Sequence, residues 1–135
     1  MKKVNIIDKT NGRRFYLNKI EARKIDKEPE QDIVDITQET EYEIIENNEK
    51  TLSIELKTKT FIEPEALFCI EMEHVIEYIL KDTISEKDVR ENINALLSPL
   101  GNEISFLISV LTREMINTRV ILPPSIVLNE EKKAK

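Results

Sequence analysis

The sequence predicts an α+β domain in which four antiparallel strands are followed by two helices packed on one face of their sheet. Three observations support this fold. Up to about residue 80, apolar and charged residues alternate with a period of two. Apolar residues then recur at helical spacing from Val89 to Met115, and an extended run from Val120 to Val127 contains Pro123 and Pro124. A period of two indicates half-buried strands and a spacing of three to four indicates helices, and strands grouped before helices are typical of an α+β fold.

The predicted second, third and fourth strands bury the same parity of residue. Their even positions are apolar, while the odd positions are mostly Glu and Lys. We therefore expect one buried and one wet sheet face. The buried set is Val34, Ile36, Tyr42, Ile44, Leu52, Ile54, Leu56, Phe68, Ile70, Met72 and Ile76.

The first strand is predicted over Phe15 to Ile25, and the charged segment 26–32 with Pro29 connects it to the second. Residues 3–8 are a candidate fifth strand at the sheet edge, because Asn11-Gly12 suits a tight hairpin turn.

Strand register can be predicted from loop length and parity. A three-residue loop at 47–49 would set Ile44 opposite Leu52, and a bulge there is an alternative. In that register Lys57 lies between Glu39 and Glu71.

Two helices are predicted after the strands. Ser85 can cap the first, whose buried stripe is Val89, Ile93, Leu96 and Leu97. The second begins at Ser98-Pro99, where proline suits the first helical position, and runs to about Asn117.

Composition bounds the function. The 135 residues fit one domain, 1–135, with a charged tail at 129–135 that we expect to fray. A net charge of −6 argues against nucleic-acid binding, and no apolar run is long enough to span a membrane. A single cysteine, Cys69, and the lack of a signal-like start favour the cytoplasm.

No residue set predicts catalysis or a metal site. The sole histidine, His74, is expected to be a partly buried structural residue at the end of its strand, on the opposite face from Cys69. One His and one Cys do not make a zinc site, and two glycines do not make a phosphate-binding loop. We therefore expect no enzyme activity, no cofactor and no metal.

The strand order, the helices and the Leu122-Pro123-Pro124-Ser125-Ile126 segment resemble the SecB family of export chaperones. Asn102-Glu103-Ile104 is similar to the element that opens the family's main helix, and Phe68 to Met72 is similar to its fourth strand. The chain departs from the family in its charged 26–32 link and has no room after Val127 for a further helix. It thus resembles a shortened, divergent member.

The resemblance implies a cytoplasmic chaperone for non-native polypeptides, built as a dimer or a dimer of dimers. It further implies association through the second helix, where Phe106 and Val110 lie opposite the buried stripe and the small residues Ser105 and Ser109 lie beside them. Two tolerated apolar surface residues are the simpler interpretation of that helix face.

Two further surfaces are candidate binding sites. The predicted register places Glu41, Glu55 and Glu73 side by side, and with Glu71 they form an acidic face for a basic partner such as a SecA-type motor; a merely solvated face is the alternative. Apolar groups near the sheet end and after the helix are candidate client contacts, unless they belong to the core: Phe61, Ile62, Ile76, Tyr78, Ile121 and Leu122.

Two other functions remain open. The first is an adaptor, phage-encoded or associated with a toxin–antitoxin pair, that binds one specific folded partner. The second is a carrier of a hydrophobic ligand, which requires an enclosed cavity.

Overall fold

The computed structural model describes residues 6–28, 35–63, 66–126 and 128. A short 3₁₀ helix, Ile6–Lys9, precedes strand β1, Thr10–Ile25. Strands β2, Asp35–Asn47, β3, Thr51–Glu63, and β4, Leu67–Leu80, follow. Helices α1, Glu86–Glu91, α2, Ile93–Leu97, and α3, Pro99–Ile116, complete the regular elements. The predicted four-stranded antiparallel sheet with C-terminal helices is confirmed.

The strands lie in the order β1-β4-β3-β2, so that β1 and β2 form the two edges of the sheet. Even-numbered residues of β3 and β4 point to the face that carries the helices, which we call the inner face. Leu52, Ile54, Leu56, Phe68, Ile70, Met72 and Ile76 are all buried there, as predicted. On the edge strand β2 the prediction is wrong for Ile36, which is exposed, while Tyr42 and Ile44 are half-buried and Val34 lies outside the described residues. The odd-numbered positions form the outer face, which bears most of the charged residues.

The start of the chain differs from the prediction. Residues 6–9 form a 3₁₀ helix rather than an edge strand, and the rest of the candidate fifth strand lies outside the described residues. Asn11-Gly12 lies within β1, where the pairing with β4 shifts between Thr10 and Arg13. Gly12 has a φ of 111°, which only glycine adopts readily, so the pair makes an irregularity in a strand instead of a turn.

The register of β2 against β3 also differs from the prediction. Ile44 faces Ile54 instead of Leu52, because Ile45 is an extra residue between Ile44 and Glu46. A three-residue connection, Asn48 to Lys50, then joins the strands. The Asn48 carboxamide oxygen accepts bonds from the amides of Lys50 at 2.8 Å and of Thr51 at 2.9 Å. The bulge that the sequence left open as an alternative is present. The turn pairs Asn47 with Leu52, and the single extra residue Ile45 then brings even positions opposite even positions again, so the register differs by two residues from the predicted one while the buried parity is kept.

The helices begin where the sequence predicts. The Ser85 hydroxyl accepts a bond from the amide of Asp88 at 3.1 Å, and Pro99 occupies the first turn of α3. The first predicted helix is divided at Asn92, which separates α1 from α2. Val89, Ile93, Leu96 and Leu97 are nevertheless all buried. No helix in the described part of the chain is long and apolar enough to cross a membrane.

Candidate functional site

On the outer face of the sheet, the lysines of β3 lie between glutamates of β2 and β4. One row across the sheet is Glu41, Lys57, Glu73 and Lys19, and the next is Glu39, Lys59, Glu71 and Glu21. Side chains of these rows line an open cleft of about 200 Å³. Each lysine of β3 therefore lies between two glutamates, which is a favourable cross-strand arrangement.

The predicted row of three glutamates is consequently wrong. Glu55 lies opposite Glu43 and Val75, whereas Glu41 and Glu73 both neighbour Lys57. The registers of β2 with β3 and of β3 with β4 each differ by two residues from the predicted ones, so Glu55 lies in a different row from Glu41 and Glu73. Like charges face each other in the ladder at Glu43 with Glu55 and at Glu21 with Glu71, but Glu41, Glu55, Glu71 and Glu73 do not form one acidic patch.

The six residues predicted to contact a client do not form one surface. Ile62, Ile76 and Tyr78 are buried in the core. The Tyr78 hydroxyl donates to the Leu96 carbonyl at 2.6 Å, and burial raises the pKa of that phenol to about 12. These three residues are inaccessible in the folded protomer, so a groove that includes them is wrong.

The other three candidates remain at the surface. Phe61 is half-buried, and the Lys59 ammonium lies 5.0 Å from the centre of its ring. Ile121 is 71% exposed and Leu122 is half-buried. Ile121 and Leu122 belong to residues 117–126, which we call the strap because this segment runs back along α3 in an extended conformation.

The strap is held by the small side chains of α3. The Ser105 hydroxyl donates to the Leu122 carbonyl at 2.7 Å, and the Thr112 hydroxyl accepts from the Val120 amide at 2.8 Å. The Arg119 guanidinium donates to the Ser109 hydroxyl at 3.1 Å. Ser105 and Ser109 thus contact the chain's own strap. In the sequence analysis these two residues belonged to the face through which α3 would associate with another copy, and the strap occupies that space.

Phe106 and Val110 lie on another side of α3. Phe106 is 62% exposed and Val110 is half-buried. This part of the predicted association face is accessible in the protomer.

The edge strand β1 is a further apolar surface, and sequence reasoning missed it. Phe15, Tyr16 and Ile20 are 38%, 43% and 40% exposed. Asn18 is an extra residue between Leu17 and Lys19, so the strand changes face there. Phe15, Leu17 and Ile20 consequently all lie on the inner face, a grouping that simple alternation from residue 15 does not give. We call β1 from Arg14 to Glu21 the β1 edge.

His74 and Cys69 are both buried on opposite faces of β4. His74 lies in the middle of the strand rather than at its end, between Leu17 and Leu56. Neither of its ring nitrogens has a hydrogen-bond partner in the part of the chain that the structure describes. Burial lowers the pKa of His74 to about 4 and raises the pKa of the Cys69 thiol. The described residues bring together no His, Cys, Asp and Glu group that could hold a metal ion.

Comparison of the structure with solved proteins identifies the fold. The Mycobacterium tuberculosis SecB-like chaperone Rv1957, in complex with a ChAD peptide from the antitoxin Rv1956 HigA1, superposes with a TM-score of 0.68. The match is 11% identical and covers 92% of this chain and 90% of that one. The chain has a SecB-like fold.

A second match is weaker. A Streptococcus agalactiae protein of unknown function superposes with a TM-score of 0.48 and 17% identity, over 82% of this chain and 94% of that chain, and no argument rests on it. No protein-family model matches the sequence, and no curated protein is similar to it.

Proposed function

We propose that this protein is a homo-oligomeric, SecB-like chaperone that holds extended segments of non-native polypeptides, acting by binding alone in the cytoplasm. The observation that carries the proposal is apolar exposure on a fold shared with a peptide-bound chaperone. Phe15, Ile20, Phe106 and Ile121 are all exposed, and groups of exposed apolar residues mark interaction sites more often than scattered single ones do.

Self-association through the β1 edge is the first part of this proposal. β1 is 16 residues long and lies at the edge of the sheet, where its outward backbone groups can pair with another strand. A two-fold antiparallel pair centred on Leu17 would place Phe15 opposite Ile20 of the second copy on the inner face. On the outer face, Arg14 would lie opposite Glu21.

The same register brings Tyr16 opposite Lys19 of the second copy. The register therefore pairs apolar residues with apolar residues on the inner face. On the outer face it allows an ion pair and an amine–aromatic contact between the two copies. The extra residue Asn18 makes this pairing possible, because without it Phe15 and Ile20 would point to opposite faces of the sheet.

Cysteine cross-linking tests this register. Across a two-fold centred on Leu17, the Cα atoms of the two Leu17→Cys residues would lie about 4.5–5.5 Å apart, within disulfide range. The matched control is Ile20→Cys on the same face, whose two copies would be offset by roughly 13 Å at about 3.3 Å per residue. We expect a cross-linked dimer for Leu17→Cys only. The pairing would be refuted if Ile20→Cys cross-linked efficiently or if neither variant formed a cross-linked dimer.

Suppression of aggregation tests the chaperone activity. An aggregation-prone protein diluted from denaturant scatters light as it aggregates, and we expect stoichiometric amounts of the full chain to reduce that scattering. Phe106→Asp is a useful comparison, since an exposed substitution of this kind usually leaves folding stability within about 0.5 kcal/mol. Unchanged scattering in the presence of the folded wild-type chain would remove the proposal.

An adaptor for one specific partner is the second candidate function. The observation in its favour is that the structural neighbour binds a peptide taken from an antitoxin. An adaptor would bind a single polypeptide tightly and would not suppress the aggregation of unrelated proteins, so the scattering experiment with two unrelated clients separates the two functions. Because the lysines of β3 lie between glutamates on the outer face, the proposal does not extend to export through a SecA-type motor.

A further inference from the structure

The strap lies in a groove on α3 that is formed by small side chains. Along α3 the groove is formed by Gly101, Ser105, Ser109 and Thr112, at intervals of three or four residues. Successive contacts on the strap lie about two residues apart: Val120 meets Thr112, Leu122 meets Ser105, and Pro124 meets Gly101. From Gly101 to Ser105 the helix rises about 6 Å, which is close to the span of two extended residues, about 6.6 Å. From Ser105 to Thr112 it rises about 10.5 Å, so the two spacings match only at the Gly101 end of the groove.

Gly101 is the point of closest approach between α3 and the strap. A methyl group placed on Gly101 would lie 2.0 Å from the carbonyl oxygen of Pro124. Glycine within a helix costs about 0.5–1 kcal/mol relative to alanine, so this residue is explained by the chain that crosses it. The groove is therefore shaped for a backbone and not for a bulky side chain.

One hydroxyl on the sheet side of the groove has unused hydrogen-bonding capacity. Gln38, Thr40 and Thr58 line the cavity between the sheet and the strap. The Thr58 hydroxyl is buried there and has no hydrogen-bond partner among the described residues. A buried hydroxyl normally finds a partner, so this wall suits a ligand that carries donors and acceptors along its length, as a peptide backbone does.

The strap itself is held weakly compared with the strands. In the described residues it makes no backbone ladder with the sheet. Its one backbone–backbone bond to α3 there is from the Asn117 amide to the Arg113 carbonyl at the helix end, and its other hydrogen bonds to α3 involve side chains. Val120, Leu122 and Ile126 are only half-buried. Pro123 and Pro124 have no amide hydrogen with which to join a ladder. Segments with few buried contacts open at small free-energy cost.

We propose that this groove is the binding site for extended client peptides with aliphatic residues at alternate positions, and that the strap occupies it as a built-in competitor. The inference rests on the proposed chaperone function and gives it a site. A tethered competitor is present at high effective concentration, so a client peptide binds the resting protein weakly. Peptide affinity rises when the strap is loosened, in proportion to the fraction of open groove.

Peptide binding to full-length variants tests the proposal. The probe is a fluorescein-labelled peptide with the sequence of residues 119–128, followed by anisotropy. Leu122→Ser with Ile126→Ser loosens the strap and leaves the groove intact, and we expect it to bind the probe at least tenfold more tightly than wild type. Adding Gly101→Ala narrows the groove and should reverse that gain. Equal affinity of wild type and the loosened variant, or indifference to Gly101→Ala, would overturn the proposal.

A measurement on the wild-type chain guards against a variant that does not fold. The Val120 amide is bonded to Thr112, so its hydrogen exchange reports the seating of the strap. We expect exchange at Val120 to quicken when an unfolded client binds, while amides in the middle of β4 stay protected. A client that binds without changing Val120 exchange would defeat this inference and leave the proposed function standing. An alternative is that the groove takes the strap of a second copy. In that case probe affinity would fall as the protein concentration rises, and this result would also overturn the proposal.

Discussion

His74 makes the stability of this protein depend on pH in a calculable way. The side chain is fully buried, and within the described ranges neither ring nitrogen has a hydrogen-bond partner that could compensate a charge. Its pKa falls from 6.5 to about 4 because burial disfavours the imidazolium. Between these values the unfolded chain binds a proton that the folded chain does not. The free energy of unfolding is therefore unaffected by His74 above pH 6.5, and it decreases as the pH falls from 6.5 towards 4.

The size of the effect follows from the two pKa values. With a pKa of 6.5 unfolded and about 4 folded, linkage gives a loss of about 2 kcal/mol between pH 7.5 and pH 5. The assay is urea denaturation of wild type and His74→Leu at both pH values. Carboxylates contribute alike to both proteins, so the wild type should lose about 2 kcal/mol more than the variant on acidification. The same loss in both proteins would refute the reasoning.

Three other substitutions have expected outcomes. Tyr78→Phe removes the bond to the Leu96 carbonyl and should lower the free energy of unfolding by about 1–2 kcal/mol in urea titrations; no change would mean that this hydrogen bond contributes little. Glu43→Lys replaces the like-charge pair with Glu55 by an attractive one, and should raise thermal stability by about 0.2–1 kcal/mol at low salt, less at high salt. Phe106→Asp should lower the mass in solution measured by light scattering without changing the circular dichroism, and an unaltered mass would exclude this residue from the interface.

Parity was enough to predict the buried layer of β3 and β4, but not that of the edge strand β2, where Ile36 is exposed. Leu56 and Met72 are buried as the even-numbered pattern requires, because one face of an antiparallel sheet must pack against the helices. Helix starts were also readable, since Ser85 and Pro99 act through local chemistry.

Features that depend on single extra residues could not be predicted. Ile45 and Asn18 each add one residue to a strand, and no local signal separates such a residue from its neighbours. The first, together with the positions of the two turns, sets registers two residues away from those predicted, which invalidated the acidic row. The second grouped Phe15, Leu17 and Ile20 on one face and made the β1 edge, which alternation alone conceals.

The strap shows a different limit. Ser105 and Ser109 were recognised as small residues that allow close approach, but small side chains do not reveal which element approaches. The one available sequence signal was Gly101, a glycine in a helix that nothing local requires. Read together with the extended Leu122-Pro123-Pro124 run, it could have indicated a chain packed against the helix.

Native mass spectrometry of the protein mixed with a permanently unfolded polypeptide, reduced and carboxymethylated, tests the central proposal most directly. We predict an assembly with an even number of subunits that carries one unfolded chain, and no complex with the folded form of the same polypeptide. A monomer that carries nothing would contradict both the oligomer and the chaperone.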